Sequence, residues 1–420
     1  MNNNVFIGHG SEKKQKLNPF RVFFHWIFLF CFLFEFPMFG FITSRRLCAV
    51  YAICTIFIKS KPTKSLFRSL RVTKILLASF LFMFCICICA INYIGIEMVD
   101  SNIYYEIQHF FWQIIYIVIG AFFCVVEFRD LQYFSKLYLS IMFLQSVVTY
   151  IAVINKPFRL FIYDNFYFGD NRFESTIQGG TRVMGINLHA SLGSIILFTG
   201  CALLIYLRLT EKISVSKFVI EYMIILLATF FIGRTGFYLE LVFLVLYFLV
   251  EKNLIKKFVY FVIGGALALF FLQGILSQIS PTISNILITW VSELFNSETR
   301  FNTIGMLAQM EVPRFSQEMI FGTNITLGIT PLGQKMGSDS GYAKVYCAIG
   351  IVGAICYYLS YLNIFLATKM KGNKITKIFL VGLIAVAFVV EYKEPYFQKY
   401  VYAFFVFTLL LFNSREEYSK

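Results

Sequence analysis

The sequence predicts an all-α, polytopic integral membrane protein. Of its 420 residues, 58% are hydrophobic and only 14% are charged, and the mean hydropathy is +0.72. This composition excludes a water-soluble domain. The ten cysteines fall almost wholly inside apolar runs, where they behave as small hydrophobic residues and predict no disulfide framework. We therefore interpret residues 1–420 as a single membrane domain.

Apolar runs of spanning length recur along the whole chain. A spanning helix needs about 20 apolar residues, and the chain offers about twelve such runs. The first is too long and lacks the small-residue cleavage site of a signal peptide, so we expect it to remain as a membrane anchor. The second is short and needs a tilt to cross. The runs begin near Phe20, Leu47, Ile75, Ile107, Leu137, Val183, Phe218, Phe237, Phe258, Tyr342, Ile378 and Tyr400.

The distribution of basic residues predicts the orientation. With the N-terminus inside, about two thirds of the 37 lysine and arginine residues fall on inner segments, as the positive-inside rule requires. The densest inner segments lie at residues 59–74 and 369–377. This pattern favours an even number of spans and a C-terminus on the same side as the N-terminus.

Two connections on the outer side are far longer than usual loops, at residues 155–182 and 277–341. The first is rich in aromatic residues, which suit either an interfacial belt or a platform for sugar rings. The second contains a predicted surface helix over residues 283–311 and becomes glycine-rich from Gly322. Long loops on one face only indicate that the protein acts on that face.

Three arginines, Arg182, Arg234 and Arg300, fall on this outer face. Arginine is scarce there unless it has something to hold. One such residue alone suits a lipid phosphate as well as a substrate, and Arg234 also has Glu240 as a possible ion-pair partner. The three together favour an anionic substrate. In the first span, the acid Glu35 is either a functional residue or a solvated one at the membrane boundary.

Short motifs surround these arginines in a fixed order. Arg182 is followed by ten residues and then Gly193, and the next motif is Gly233-Arg-Thr-Gly236. Arg300 precedes Ile320-Phe-Gly322 and Ser338-Asp-Ser-Gly-Tyr342, and Lys393-Glu-Pro395 comes last. In kind and order these motifs resemble those of O-antigen polymerases, within the O-antigen polymerase and ligase superfamily. The resemblance extends from Arg182 to Pro395 and is confined to the motifs.

The resemblance implies a glycosyltransferase of the bacterial inner membrane, with cytoplasmic termini and two long periplasmic loops. Its donor and acceptor are undecaprenyl-diphosphate-linked oligosaccharides, which it joins into O-antigen polysaccharide for lipopolysaccharide. A chain-length regulator protein and membrane lipids are the further partners expected, and no nucleic acid. No cofactor and no metal are expected, because an Asp-x-Asp pair is lacking and the four histidines suit a zinc site poorly.

The site residues follow from the chemistry of a diphosphate leaving group. Guanidinium groups neutralise its charge, and a base takes the proton of the attacking sugar hydroxyl. We predict Asp339 as the base. At the corresponding position related ligases look like His-Asn, whereas this chain has Asp339-Ser340. Asp339 also suits a simple turn. One base with direct displacement predicts an inverting reaction. The catalytic set is Asp339, Arg300, Arg234 and Glu298, and the substrate-binding set is Arg182, Arg234, Arg300, His189, Tyr342, Lys393 and Glu394.

Several alternatives stay open. Glu298 and Glu394 compete with Asp339 as the base, and His189 either contacts substrate or caps its helix. A flippase for the lipid-linked oligosaccharide, or another transporter, also needs cations for a diphosphate, but no similarity between two halves of the chain is visible. An O-antigen ligase shares the fold and differs chiefly at Asp339.

Overall fold

The structure is a computed structural model that describes most of the helical chain. The described ranges are 18–39, 42–59, 70–94, 110–128, 130–166, 190–250, 314–324, 327–329, 335–337, 340–393 and 395–415, with the short pieces 63, 66–67, 183, 185–186 and 273–274. Within these ranges the chain is almost entirely helical, with two short antiparallel strand pairs. The prediction of an all-α protein is confirmed for this part of the chain.

The elements are numbered here in chain order. The helices are α1 (Pro19–Phe34), α2 (Ser44–Ile58), α3 (Val72–Ile94), α4 (Phe110–Phe128), α5 (Leu131–Ile154), α6 (Lys156–Phe166), α7 (Ala190–Leu209), α8 (Val215–Ile232), α9 (Arg234–Val250), α10 (Glu318–Phe321), α11 (Gly341–Leu366), α12 (Lys374–Glu391) and α13 (Val401–Arg415). Strands β1 (Pro37–Phe39) and β2 (Ile42–Thr43) pair after α1, and β3 (Leu327–Ile329) pairs with β4 (Lys335–Gly337).

Local sequence signals set several helix starts. The side chains of Asn18, Asp130, Ser214 and Asn373 each accept a hydrogen bond from an amide in the first turn of the helix that follows. Such caps satisfy amides that have no partner within the helix. Pro19 takes the first position of α1, where its missing N–H costs nothing.

Within the described part of the chain, six helices are long and apolar enough to cross a membrane, namely α3, α4, α5, α7, α8 and α11. Shorter apolar helices include α1 and α13. All predicted runs coincide with helices except the run from Phe258, which lies outside the described residues. The number of spans therefore stays a prediction.

Two boundaries differ from the sequence prediction. The sixth run was expected from Val183, but its helix α7 begins at Ala190. Val183 and Ile186 are not helical, because the Val183 amide bonds to the Phe231 carbonyl and the Ile186 amide bonds to the Gln145 side chain. The loop at residues 155–182 begins with helix α6 rather than irregular chain. The surface helix predicted over residues 283–311 lies outside the described residues.

Helices α4, α5, α7, α8, α11, α12 and α13 run between two ends of one bundle. The Glu127 end contains the end of α4, the start of α5, and residues Arg21, His25 and Lys59, which all bond to the Glu127 carboxylate. The Lys393 end contains the starts of α7, α9 and α11 and the turn after α12. We use these two names below.

The core of the bundle is occupied by α13. Every residue from Val401 to Ser414 is buried, so this helix has no face left for lipid or water. It packs against α4, α7, α11 and α12. Helix α7 is nearly as enclosed, with most of its length from Ile195 to Leu207 buried. A helix that is apolar on all sides belongs in the interior of a bundle.

Helix α11 is broken at Gly350, and the break receives the segment after α10. Gly350 has φ +68° and Gly322 has φ +79°, a left-handed region that glycine adopts without strain. Each lies so close to the backbone of the other that a Cβ on either would approach a backbone nitrogen to 2.4 Å. The amides of Thr323 and Asn324 bond to the Cys347 and Ala348 carbonyls. The Ile320-Phe-Gly322 motif therefore docks this segment into α11.

Candidate functional site

The structure describes the side chains of two predicted site residues, Tyr342 and Lys393. It also describes the backbone of Arg234, which is the first residue of α9. The remaining predicted site residues lie outside the described residues: Arg182, His189, Glu298, Arg300, Asp339 and Glu394. The site is therefore built from the motif residues that flank them.

Lys393 joins two of the motifs. It lies in the turn that follows α12, and its Nζ atom donates a hydrogen bond to Thr235 Oγ1 over 3.2 Å. Thr235 belongs to Gly233-Arg-Thr-Gly236, which is 158 positions away in the sequence. The lysine side chain is partly exposed. The bond places a positive charge beside the first turn of α9.

The same turn touches the motif that ends at Tyr342. The Cα atom of Gly341 lies against the Glu391 carboxylate and Pro395. A Cβ atom at this position would meet Glu391 Oε1 at 2.1 Å and the Pro395 Cα atom at 2.8 Å. Only glycine permits this approach, which brings the start of α11, immediately after Asp339 in the sequence, against the Lys393 turn.

The first two motifs also meet. Gly236 in α9 lies against Ser194 in α7, and a Cβ atom on Gly236 would approach the Ser194 carbonyl oxygen to 2.3 Å. Ser194 directly follows Gly193, the last residue of the first motif. The Val183 amide, one position after Arg182, bonds to the Phe231 carbonyl near the end of α8. The backbone on either side of the first motif is thus attached to the backbone around the second.

The electrostatics of this meeting point favour an anion. Helices α7, α9 and α11 all begin here, and helix starts carry partial positive charge on unpaired amides. Lys393 adds a full charge. Helices α8 and α12 end at the same place, and the amides of Gly233, Tyr392 and Lys393 bond back to carbonyls in the last turns of these helices. The buried Glu391 carboxylate opposes part of the Lys393 charge, and the three helix starts add the positive character that suits an anion.

Glu391 lies at the centre of the cluster and was not predicted from the sequence. Its side chain is fully buried, and it accepts hydrogen bonds from the Phe397 amide at 3.0 Å and the Tyr358 hydroxyl at 3.2 Å. These bonds tie α11, the end of α12 and the Lys393 turn into one unit. Glu391 has no route to bulk water and is a positioning residue. Its only sequence signal is its place two residues before Lys393.

Tyr342 was predicted to bind substrate, and the structure gives its hydroxyl another partner. The hydroxyl donates to the Phe388 carbonyl in α12 over 2.7 Å. Its ring contacts that of Tyr358, with centroids 4.8 Å apart. Tyr342 thus fastens the first turn of α11 to α12, which is a packing role.

A buried polar network packs against the Lys393 turn from the interior of the bundle. Gln113 in α4 is fully buried, and its Oε1 atom accepts from Tyr357 at 3.2 Å and Tyr361 at 2.9 Å. The Tyr361 hydroxyl also lies 2.9 Å from the Phe397 carbonyl, within the turn. Among the described residues Gln113 Nε2 has no hydrogen-bond partner, so this network is satisfied only at the Oε1 atom.

A second unpredicted cluster anchors the far side of the turn. Arg45, at the start of α2, is fully buried and bonds to Glu35, to Tyr400 and to the Leu33 carbonyl. Burial by itself would raise the pKa of Glu35, but Arg45, Tyr400 and Thr43 together hold that pKa below its ordinary range. Glu35 is thus an ion-pair partner at the end of α1 and not a free acid.

Comparison with known proteins adds no family assignment. No protein-family model matches the chain, and no curated protein or solved structure matches it. The geometry above is therefore the basis for any statement about function.

Proposed function

We propose that this protein is a glycosyltransferase that polymerises lipid-diphosphate-linked oligosaccharide units at the outer face of a bacterial inner membrane, as an O-antigen polymerase does. The Lys393 end would face the periplasm, and both termini the cytoplasm. Donor and acceptor would each carry an undecaprenyl diphosphate. The reaction would need no metal ion and would invert the anomeric carbon of the donor.

One observation carries the proposal: motifs far apart in the sequence meet at one end of the bundle. Lys393 bonds to Thr235, Gly341 lies against Glu391 and Pro395, and Gly236 lies against Ser194. The predicted topology already puts these motifs on one side of the membrane, and the contacts add that residues of different motifs touch one another there. Their meeting point also has the positive character that a diphosphate requires.

The reaction balances with the residues proposed. The acceptor hydroxyl oxygen attacks the anomeric carbon of the donor sugar while the bond from that carbon to the diphosphate oxygen breaks. The electron pair leaves with the undecaprenyl diphosphate, and the hydroxyl proton passes to Asp339. Arg182, Arg234 and Arg300 would neutralise the departing diphosphate, because guanidinium groups bind phosphate oxygens in pairs and stay charged.

Lys393 would assist the arginines from a fixed position. Its ammonium group lies beside the residue that follows Arg234. It would stabilise charge that develops on the leaving oxygen, an effect usually worth on the order of 100-fold in rate for one well-placed donor. Thr235 and the Glu391 network hold the turn that carries it.

A complementation experiment tests the proposal. A strain lacking the gene receives the wild-type protein, Lys393→Gln or the control Lys374→Gln, which changes an exposed lysine at the opposite end. We expect wild type and control to restore long glycan chains. Lys393→Gln should leave mainly single units at equal protein level, since a rate loss on the order of 100-fold shortens the chains.

The deletion strain separates the alternatives. Single units that still reach the cell surface support a polymerase. Units that accumulate inside would indicate a flippase, and polymer that stays on its carrier lipid would indicate a ligase; either result contradicts the proposal. Retained anomeric configuration in polymer made by the purified protein would contradict the single-base mechanism.

A further inference from the structure

The Glu127 end of the bundle contains a basic cavity that the proposed glycan chemistry, at the Lys393 end, does not use. It lies between the starts of α5 and α8 and the end of α7, and its volume is about 240 Å³. Its lining is Gln132, Ser135, Lys136, Leu139, Ser140, Phe143, Leu207, Lys212, Ile213, Lys217 and Glu221.

The charges that line the cavity favour an anion. Lys136, Lys212 and Lys217 face one acid, Glu221, whose Oε1 atom lies 3.6 Å from Lys217 Nζ. The lining therefore carries a net charge of about two positive units, since lysine and glutamate are charged near neutral pH. Two of the three helices here contribute their starts, which add partial positive charge.

The lysines are the groups that can reach a ligand in this cavity. Ser135 is 3% exposed, and among the described residues its Oγ atom and Glu221 Oε2 are buried without a hydrogen-bond partner. Because these two oxygens have almost no accessible surface, they face the packed helices and not the open space of the cavity.

The surroundings favour an amphiphile. The inner wall of the cavity is apolar, from Leu139, Phe143 and Leu207. Beside its mouth, α8 exposes Val219, Ile220 and Ile224, which lie on the surface of a helix apolar enough to cross a membrane. A phosphate near the lysines would thus continue into acyl chains along α8.

We propose that this cavity binds the headgroup of an anionic glycerophospholipid. The phosphodiester of a lipid such as phosphatidylglycerol would lie between Lys136, Lys212 and Lys217. Basic pockets between spanning helices are known binding places for such headgroups. The site is independent of the glycan reaction and lies at the other membrane boundary.

Native mass spectrometry of the purified full-length protein tests the site. The protein is equilibrated with equal amounts of phosphatidylglycerol and phosphatidylcholine, and the retained lipid is counted. We expect wild type to retain phosphatidylglycerol preferentially. Lys136→Gln/Lys217→Gln should reduce the affinity on the order of 30-fold, from about fivefold per lysine. Lys136→Arg/Lys217→Arg should preserve it.

The matched control is Lys374→Gln/Lys377→Gln, which removes two exposed lysines at the same boundary. We expect this pair to retain the lipid as wild type does. Equal retention by the Lys136/Lys217 pair, or an equal loss in the control pair, would overturn the site. Displacement of the lipid by millimolar inorganic phosphate would overturn the lipid assignment and indicate a soluble anion. Melting temperatures in phosphatidylcholine confirm that each variant is folded.

Discussion

Glu127 and Glu391 are both buried glutamates at opposite ends of the bundle, and their partners differ. The Glu127 carboxylate bonds to Arg21 at 2.7 Å, to His25 at 3.1 Å and to Lys59. The hydrogen bonds to Glu391 come from a tyrosine hydroxyl and a backbone amide. The first carboxylate joins separate helices through charge, and the second shapes a turn through neutral donors.

This difference indicates how the two ends are used. Charge pairs hold α1 and α2 against α4 at the Glu127 end, where several long side chains meet. At the Lys393 end the backbone itself makes the close contacts, through Gly236 and Gly341. Backbone contacts fix positions more narrowly than long side chains do, and catalytic groups need that narrow placement.

The largest expected effect concerns the ion pair at the Lys393 end. Arg45→Ala leaves Glu35 without its cation, and breaking a buried pair from one side costs about 3–5 kcal/mol. The neighbouring variant Arg46→Ala is the comparison, because Arg46 is only partly buried, stacks on Trp112 at 5.3 Å, bonds to Tyr116 and acts on Glu35 more weakly than Arg45 does. That change should cost less, about 1–2 kcal/mol. Unfolding by SDS in mixed micelles measures both.

Equal losses in the two arginine variants would mean that the Arg45 cluster contributes no more than a surface contact. A larger loss for Arg45→Ala shows that charge pairs stabilise this end as well. The contrast between the ends would then be restricted to the Lys393 turn.

A second prediction concerns the backbone contact between α7 and α9. Gly236→Ala places a methyl group 2.3 Å from the Ser194 carbonyl oxygen, so the helices must separate. Such overpacking costs about 1–3 kcal/mol. Gly382→Ala is the matched helical control, because nothing lies within 4 Å of its Cβ position. It should be stabilising by roughly 0.5–1 kcal/mol, the difference in helix propensity.

Thermal unfolding in detergent, followed with the chain-length assay, distinguishes the two glycine variants. We expect Gly236→Ala to lose both stability and long chains. Full activity in Gly236→Ala would show that the approach of α7 to α9 is not required.

The third prediction compares the two glutamates directly. Glu127→Gln removes the charge from three partners and should cost about 1–2 kcal/mol, a reduced value because Arg21 and Lys59 reach water. Glu391→Gln should change stability by less than about 1 kcal/mol, because its carbonyl can accept from Phe397 and its amide can donate to Tyr358. Turnover per folded molecule should fall roughly tenfold in Glu391→Gln and should stay near the wild-type value in Glu127→Gln.

Turnover per folded molecule and unfolding free energy are measured on the same preparations of both glutamate variants. A Glu391→Gln protein with normal turnover and a large stability loss would reverse the comparison. In that case Glu391 is only a packing residue.

The smallest effect is a pH dependence that comes from Glu35. Its pKa is lowered in the folded protein, so its contribution to stability is complete above the ordinary glutamate value of about 4.3. The contribution is lost as the pH falls through the folded value. We expect the difference in melting temperature between wild type and Glu35→Gln to be constant from pH 7 to 5 and to shrink below pH 4. A difference that grows with acid would contradict the Arg45 pairing.

Much of the fold was predictable because its signals are local. Apolar runs located the helices, and the runs predicted from Leu137 and Phe218 begin within a few residues of the helices that Asp130 and Ser214 cap in the structure. The start of the sixth run was predicted at Val183, whereas helix α7 begins at Ala190. The amides of Val183 and Ile186 bond to other segments instead of continuing the helix. Bonds of that kind leave no trace in hydropathy.

The site was predictable only in part for the same reason. Lys393 and Gly341 were within recognisable motifs, but Glu391 gains its importance from neighbours supplied by α11 and the turn. Arg45, like Arg182, is an arginine on the predicted outer face, and the sequence alone does not distinguish the two. Its burial in an ion pair follows from the position of Tyr400, which is 355 residues away.

The burial of α13 has a consequence for biosynthesis. The described helices that pack against α13 all precede it in the chain, so they are synthesised before it. Without α13, helices α4, α7, α11 and α12 lack the partner that buries their inner faces. Deleting α13 would therefore expose apolar surface on all four helices at once.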